Sequence, residues 1–253
     1  MLKLYGRLAR KAARQSLRAW PLAPILFSYM LLMKGLGLLI VPLGPLLGSI
    51  AMYFALAALI SSYLHLLSAA VAGRRLALHD LLPSFRARFW DVVSVLFAFW
   101  IIMRGLGLVT ANMGPKRDIV VALVGLAMAV FFNPVPELIY QGSSRSFALL
   151  GDSARFISAH WPEWLAPNIV LAAALLAPVG LLGGLGVGGS VLRIQVVFSL
   201  GGLTNVIGSV PLWLLPAVLL LVHFAMVFRG LLFEELSSGI SARQRAIRDA
   251  WGR

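Results

Sequence analysis

Two cations stand inside apolar runs of this chain, Lys34 and Arg104, seventy residues apart and in matching surroundings. A charge at mid-bilayer depth costs at least about 2.5–3.5 kcal/mol, so each invites reading as a contact for an anion or a lipid headgroup. The favoured alternative is physical anchoring, because each cation lies near one end of its run and its long stem can snorkel to the phosphates. The adjoining Gly35-x-Gly37 and Gly105-x-Gly107 suit close helix contact better than phosphate binding, since this short glycine pattern is weak evidence in a glycine-rich chain. Glu137 follows Pro134-Val135-Pro136, which puts a carboxylate at the end of a proline-kinked span. It could gate, carry a proton or hold a partner; the preferred expectation is an interfacial position paired with a nearby arginine such as Arg145. His65, Asn133 and His223 fall at comparable depth on the second helix of each expected hairpin, where interhelical hydrogen bonding is favoured over chemistry.

No enzyme motif accompanies these residues. The chain has no cysteine, which excludes disulfides, thiolate metal sites and cysteine nucleophiles. HExxH, Walker A and an acidic cluster able to hold Mg²⁺ are all missing, as is the paired-glutamate set of CAAX-type intramembrane proteases. Glu234 and Glu235 are adjacent, but Arg229 and Ser237-Ser238-Gly239 around them suggest a helix end. The expectation is a protein without catalytic residues, metal or cofactor.

The elements that must carry these side chains are membrane spans. With 60% hydrophobic and 12% charged residues and a mean hydropathy of +0.90, the chain has too much apolar surface to hide in one globule. Apolar runs of roughly the 20 residues needed to cross a bilayer fall near 22–41, 47–72, 91–110, 118–140, 164–185 and 210–231. The basic N-terminus leads straight into the first of these through Trp20-Pro21 and is read as retained rather than cleaved. The predicted fold is an all-α polytopic membrane protein: six transmembrane helices as three repeated hairpins, each preceded by a cytoplasmic amphipathic helix. It forms a single membrane domain over 1–253.

The repeat is explicit. Residues 16–45 recur without a gap as 86–115: Arg18-x-Trp20, Leu26-Phe27, Met33-Lys34-Gly35-Leu36-Gly37-Leu38 and Gly44-Pro45 match Arg88-x-Trp90, Leu96-Phe97, Met103-Arg104-Gly105-Leu106-Gly107-Leu108 and Gly114-Pro115. A degraded third copy carries Trp161-Pro162, Leu165-Ala166-Pro167 and Gly184-Leu185-Gly186, with Gly183 where the cation would stand. The units run about 1–73, 74–143 and 144–232, followed by a basic amphipathic tail over 233–253. Val41-Pro42-Leu43-Gly44-Pro45 and the polar Asn112–Arg117 stretch form the first two turns. The third connection, 186–210, is longer and suits a surface-lying or re-entrant segment.

Each hairpin is expected to follow an interfacial helix. Residues 2–19 align Lys3, Arg7, Arg10, Lys11, Arg14 and Arg18 on one stripe. Residues 78–90 turn Leu78, Leu81, Phe85 and Phe89 inward, and Pro83 breaks or starts that helix. Phe147, Leu150, Ala154, Ile157 and Trp161 share a third face, and Ile240, Ile247 and Trp251 mark a fourth helix in the tail. Of 22 Lys and Arg, 17 fall on the side of the termini, and only Lys116, Arg117 and Arg193 on the other. By the positive-inside rule both termini are cytoplasmic. Topology explains the +13 formal charge, so anionic phospholipid rather than nucleic acid is the expected partner, with Arg7, Arg10, Arg14 and Arg18 among its contacts.

Several interfacial patterns carry a family resemblance: Gly73-Arg74-Arg75, Phe85-Arg86-Ala87-Arg88-Phe89-Trp90, Pro134-x-Pro136-Glu137, Ser146-Phe147-Ala148-Leu149-Leu150 and Phe228-Arg229-Gly230-Leu231-Leu232. Across most of its length the chain resembles the six-span bacterial proteins typified by YciC and the membrane domain of some glycerophosphodiester phosphodiesterases. The resemblance implies a multi-pass protein of the bacterial inner membrane and no catalytic residues. The functional expectation is a non-enzymatic accessory or scaffold module engaging anionic lipid and a partner protein. The alternatives are a transport subunit, either a permease coupled to a separate ATPase or a self-contained carrier, and a lipid-modifying membrane enzyme.

Overall fold

The computed structural model describes the backbone of residues 2–182 and 213–251, except positions 41, 43, 75, 77, 115 and 143; its side chains are described over 3–174 and 213–238, with a few further gaps. Every regular element in this part is helical. In chain order these are α1 (Leu2–Arg18), α2 (Leu22–Ile40), α3 (Gly44–Val71), a 3₁₀ turn (Leu78–Asp80), α4 (Leu81–Ala87), α5 (Phe89–Val109), α6 (Lys116–Phe131), α7 (Val135–Gln141), α8 (Ala148–Leu182) and α9 (Leu215–Trp251).

Five segments are long and apolar enough to cross a membrane: Leu22–Ile40, Leu46–Val71, Phe89–Val109, Lys116–Gln141 and Leu215–Ser238. They coincide with five of the six expected runs. The remaining run, 164–185, begins on α8 but passes beyond the described side chains, and the 186–210 connection lies outside the described residues altogether. Ile240, Ile247 and Trp251 also lie outside the described side chains, although α9 carries the backbone through them without a break.

Two ends of the bundle differ in packing. At the basic end, α1, α4, α7, the first half of α8 and residues 227–236 of α9 gather around residues 57–71 of α3, and most buried apolar side chains of the described residues lie there. At the turn end, where α2 meets α3 and α5 meets α6, Leu38, Leu39, Leu46, Leu108, Val109 and Ile119 are exposed. Among the described residues α6 buries no side chain, as expected where lipid replaces protein. α2 and α3 pack closely, whereas α5 packs on α3 and α6 on α8.

α1 is buried on one side and exposed on the other. Leu8, Ala12, Ser16 and Ala19 are buried at successive turns against α9 and α3, while Lys3, Arg7, Arg10, Lys11, Arg14 and Arg18 are exposed. Gln15 Nε2 donates to the Val71 carbonyl (3.0 Å) and Tyr5 Oη to the Glu163 carbonyl (3.1 Å), so the helix is pinned at both ends. Burial, and secondarily Glu163, pushes the Tyr5 phenol above its ordinary pKa, which keeps it a donor.

α4 starts where Pro83 fits a first helical turn. A chain of hydroxyls ties it in: Tyr29 to Ser62, Ser62 to Ser84, and Ser84 to the Leu81 carbonyl. The expected apolar face of α8 is met in part. Ile157 is buried and Leu150 and Ala154 are half-buried, but Phe147, just before the helix, and Trp161 are exposed, and Leu149, Ser153, Phe156 and Trp164 are buried as well. A break in the helix at His160 (φ −136°, ψ 24°) resets the phase beyond it, which puts Trp164 rather than Trp161 inside.

Candidate functional site: a buried charge knot and an open aromatic–cation face

The proline pair after Asn133 builds the first site. α6 ends at Phe131 and α7 begins at Val135; prolines at 134 and 136 cannot donate main-chain hydrogen bonds, and the ladder stops between the two helices. Ser153 Oγ donates to the Phe131 carbonyl (2.7 Å), satisfying one loose end. The Asn133 carbonyl, another, accepts from Arg229 Nη2 (2.7 Å). Arg229 also forks onto Glu137, Nε to Oε1 at 2.7 Å and Nη2 to Oε2 at 3.0 Å. Glu137 is fully buried.

Trp164 closes the knot. Its Nε1 donates to Asn133 Oδ1 (2.8 Å) and the Arg229 guanidinium lies 5.2 Å from its ring centroid. Phe156 and Phe233 pack on the same ring. Gln141 Nε2 donates to the Gly230 carbonyl (2.9 Å), and a Cβ at Gly230 would fall 2.5 Å from Tyr140 Oη and 2.6 Å from Val71 Cγ2. The glycine lets α9 approach α3 and α7 this closely. One cluster thus joins α3, the α6–α7 break, α8 and α9.

The chain matches no protein-family model, no curated protein and no solved structure.

Glu137 is therefore not paired with Arg145, which is exposed on the loop after α7; its partner, Arg229, comes from α9, far along the chain, because the bundle brings those helices together at their basic ends. Asn133 joins the same knot. His65 and His223 do not. His65 is half-buried, and its carbonyl accepts from Ser68 Oγ (2.6 Å). His223 is buried against the backbone of Ser16, and neither ring nitrogen makes a hydrogen bond of normal geometry. Sequence reasoning missed Arg229 and Trp164. The available signal was an arginine within an apolar run, Val227-Phe228-Arg229-Gly230-Leu231, which had the look of a helix end. Among the described residues no group of three acidic, histidine or cysteine side chains could hold a metal ion.

Lys34 and Arg104 are both exposed on span surfaces. The Arg104 guanidinium lies 5.5 Å from the Trp100 centroid, one turn back along α5 and so away from the turn end, opposite to the direction expected of a snorkelling side chain. Helical side chains lean toward the N-terminus, which explains the direction. Trp100 stacks in turn on Phe97, 5.9 Å between centroids and 13° between planes. A cation–π contact contributes about 0.5–2 kcal/mol, less than the cost of placing the charge in hydrocarbon. Among the described residues Gly35, Gly105 and Gly107 meet nothing within 4 Å, while Gly37 lies 3.4 Å from Met52 of α3, so only Gly37 faces another helix.

Proposed function

We propose that this protein is a non-enzymatic accessory or scaffold module of the bacterial inner membrane that engages anionic lipid and a partner protein. The finer architecture belongs to the same reading: six spans in three hairpins with both termini cytoplasmic, supported by the 17 basic residues on one side and by the YciC-like patterns around Trp20, Trp90 and Pro136. The observation that carries the proposal is α1. Its apolar side is spent on α9 and α3, which leaves Lys3, Arg7, Arg10, Lys11, Arg14 and Arg18 uncovered beside exposed Leu17 and Trp20. A docked helix with a free basic stripe and an aromatic anchor suits the headgroup layer, where each cation near an anionic surface contributes about 1 kcal/mol.

The test is lipid selectivity of the intact protein in nanodiscs of mixed phosphatidylcholine and phosphatidylglycerol. Wild type should enrich phosphatidylglycerol around itself, and replacing the six cations of α1 by Gln should remove most of that enrichment. Equal lipid composition around both would refute the lipid role. Recovery of a stoichiometric ATPase from native membranes would instead favour the transport-subunit reading.

A further inference from the structure

We infer that the exposed face of α5 formed by Phe97, Trp100, Ile101, Arg104 and Leu108 is a docking site for a transmembrane helix of a partner protein, one carrying a carboxylate at the depth of Arg104. The inference rests on the scaffold reading and specifies the chemistry of its partner.

The internal repeat points to the use of this face. Seventy residues earlier, Phe27 and Met30 occupy the positions of Phe97 and Trp100, and they pack on Val218, Leu219 and Val222 of α9. In the first copy the part of this face nearer the basic end holds a helix, while Leu31, Lys34 and Leu38 beyond it are exposed. In the second, Phe97, Trp100 and Ile101 are each about half exposed, Leu108 almost wholly so, and Gly105 meets nothing within 4 Å among the described residues. The pair of positions that packs in the first copy is left uncovered in its repeat.

Charge identifies the occupant. Arg104 lies about 7.5 Å of helical rise from Val109, and its guanidinium is drawn further inward over Trp100, so a phosphate at the turn end is on the wrong side. The chain cannot neutralise it. Of its acidic residues, Glu137 is committed to Arg229. Asp91, Glu234 and Glu235 lie toward the basic end, Asp118 opens α6 beyond the turn, and Asp80, Asp152, Glu163 and Asp249 lie outside the five spans. Residues 183–212 contain no Asp or Glu. A second copy of the chain has the same deficit, which leaves a different span with its own carboxylate. Carboxylates face arginine well because the planar guanidinium presents paired donors.

The probe is a labelled polyleucine transmembrane peptide with one central Glu, and its Gln counterpart, mixed with the full-length protein in phosphatidylcholine bilayers; energy transfer reads association. The Glu peptide should bind at least tenfold more tightly than the Gln peptide. Arg104→Leu should abolish that difference and Arg104→Lys retain part of it, while lipid selectivity through α1 stays unchanged in both. Equal binding of the two peptides would overturn the inference, as would loss of the preference on adding phosphatidylglycerol, which would assign Arg104 to lipid. Trp100→Cys, in a chain with no other cysteine, adds a second readout. A disulfide-linked homodimer through Cys at that position would give the face to a second copy, and a bifunctional cross-link to residues 183–212 would give it to the chain itself; either overturns the proposal. If lipid selectivity fails in wild type while the Glu preference holds, only the lipid reading falls.

Discussion

Glu137 and Arg229 are each tolerable inside the bundle only because the other is there. Removing one partner of a buried pair leaves an uncompensated charge and costs roughly 3–5 kcal/mol, whereas removing both together is often nearly neutral. Arg229→Met should therefore lower the unfolding midpoint in detergent sharply, and Arg229→Met with Glu137→Gln should recover most of the loss. A double variant as unstable as the single one would mean that Asn133 and Trp164, not Glu137, account for the role of Arg229. Gly230→Ala makes a separate test of the same place: its Cβ would press on Tyr140 and Val71, and overpacking of this kind costs about 1–3 kcal/mol. At this scale Glu137 was legible in the sequence because a carboxylate among prolines in an apolar run is conspicuous. Its partner was not, since proximity along the chain favours Arg145 and only the bundle brings α7 and α9 together.

Helices with a local period read more reliably than the contacts between them. The basic and apolar stripes of α1 follow from side-chain spacing alone, and the structure docks the apolar one. The face of α8 was read only in part, because a period carried through to Trp161 assumes an unbroken helix, whereas the backbone changes at His160, two residues before Pro162, whose missing N–H and ring disfavour a continuous helix there. Docking of α1 makes a measurable prediction. Ala12 is fully buried and its neighbour Ala13 is exposed, so Ala12→Leu should destabilise by about 1–3 kcal/mol while Ala13→Leu stays within about 0.5 kcal/mol. Thermal unfolding of the two variants side by side measures the difference, and equal midpoints would mean that α1 is not packed on α9.

For the whole molecule, composition and run length were enough to identify a helical membrane protein, because hydrocarbon admits few other solutions to backbone hydrogen bonding. They did not reveal that helix contacts crowd toward one end, since lipid-facing and protein-facing residues are equally apolar. Truncation separates the two environments. Leu67→Ala, inside the basic-end core, should cost about 2–5 kcal/mol, while Leu108→Ala, exposed near the turn, should leave the unfolding midpoint almost unchanged in detergent; equal losses would mean that both ends are packed. The uneven core has a mechanical corollary. Toward the basic end the cross-section is set by interlocked side chains and resists compression, while toward the turn end Leu38, Leu39, Leu46, Leu108 and Val109 lie exposed without such interlocking. A lateral squeeze on the bundle therefore meets a stiffer body at one end than at the other.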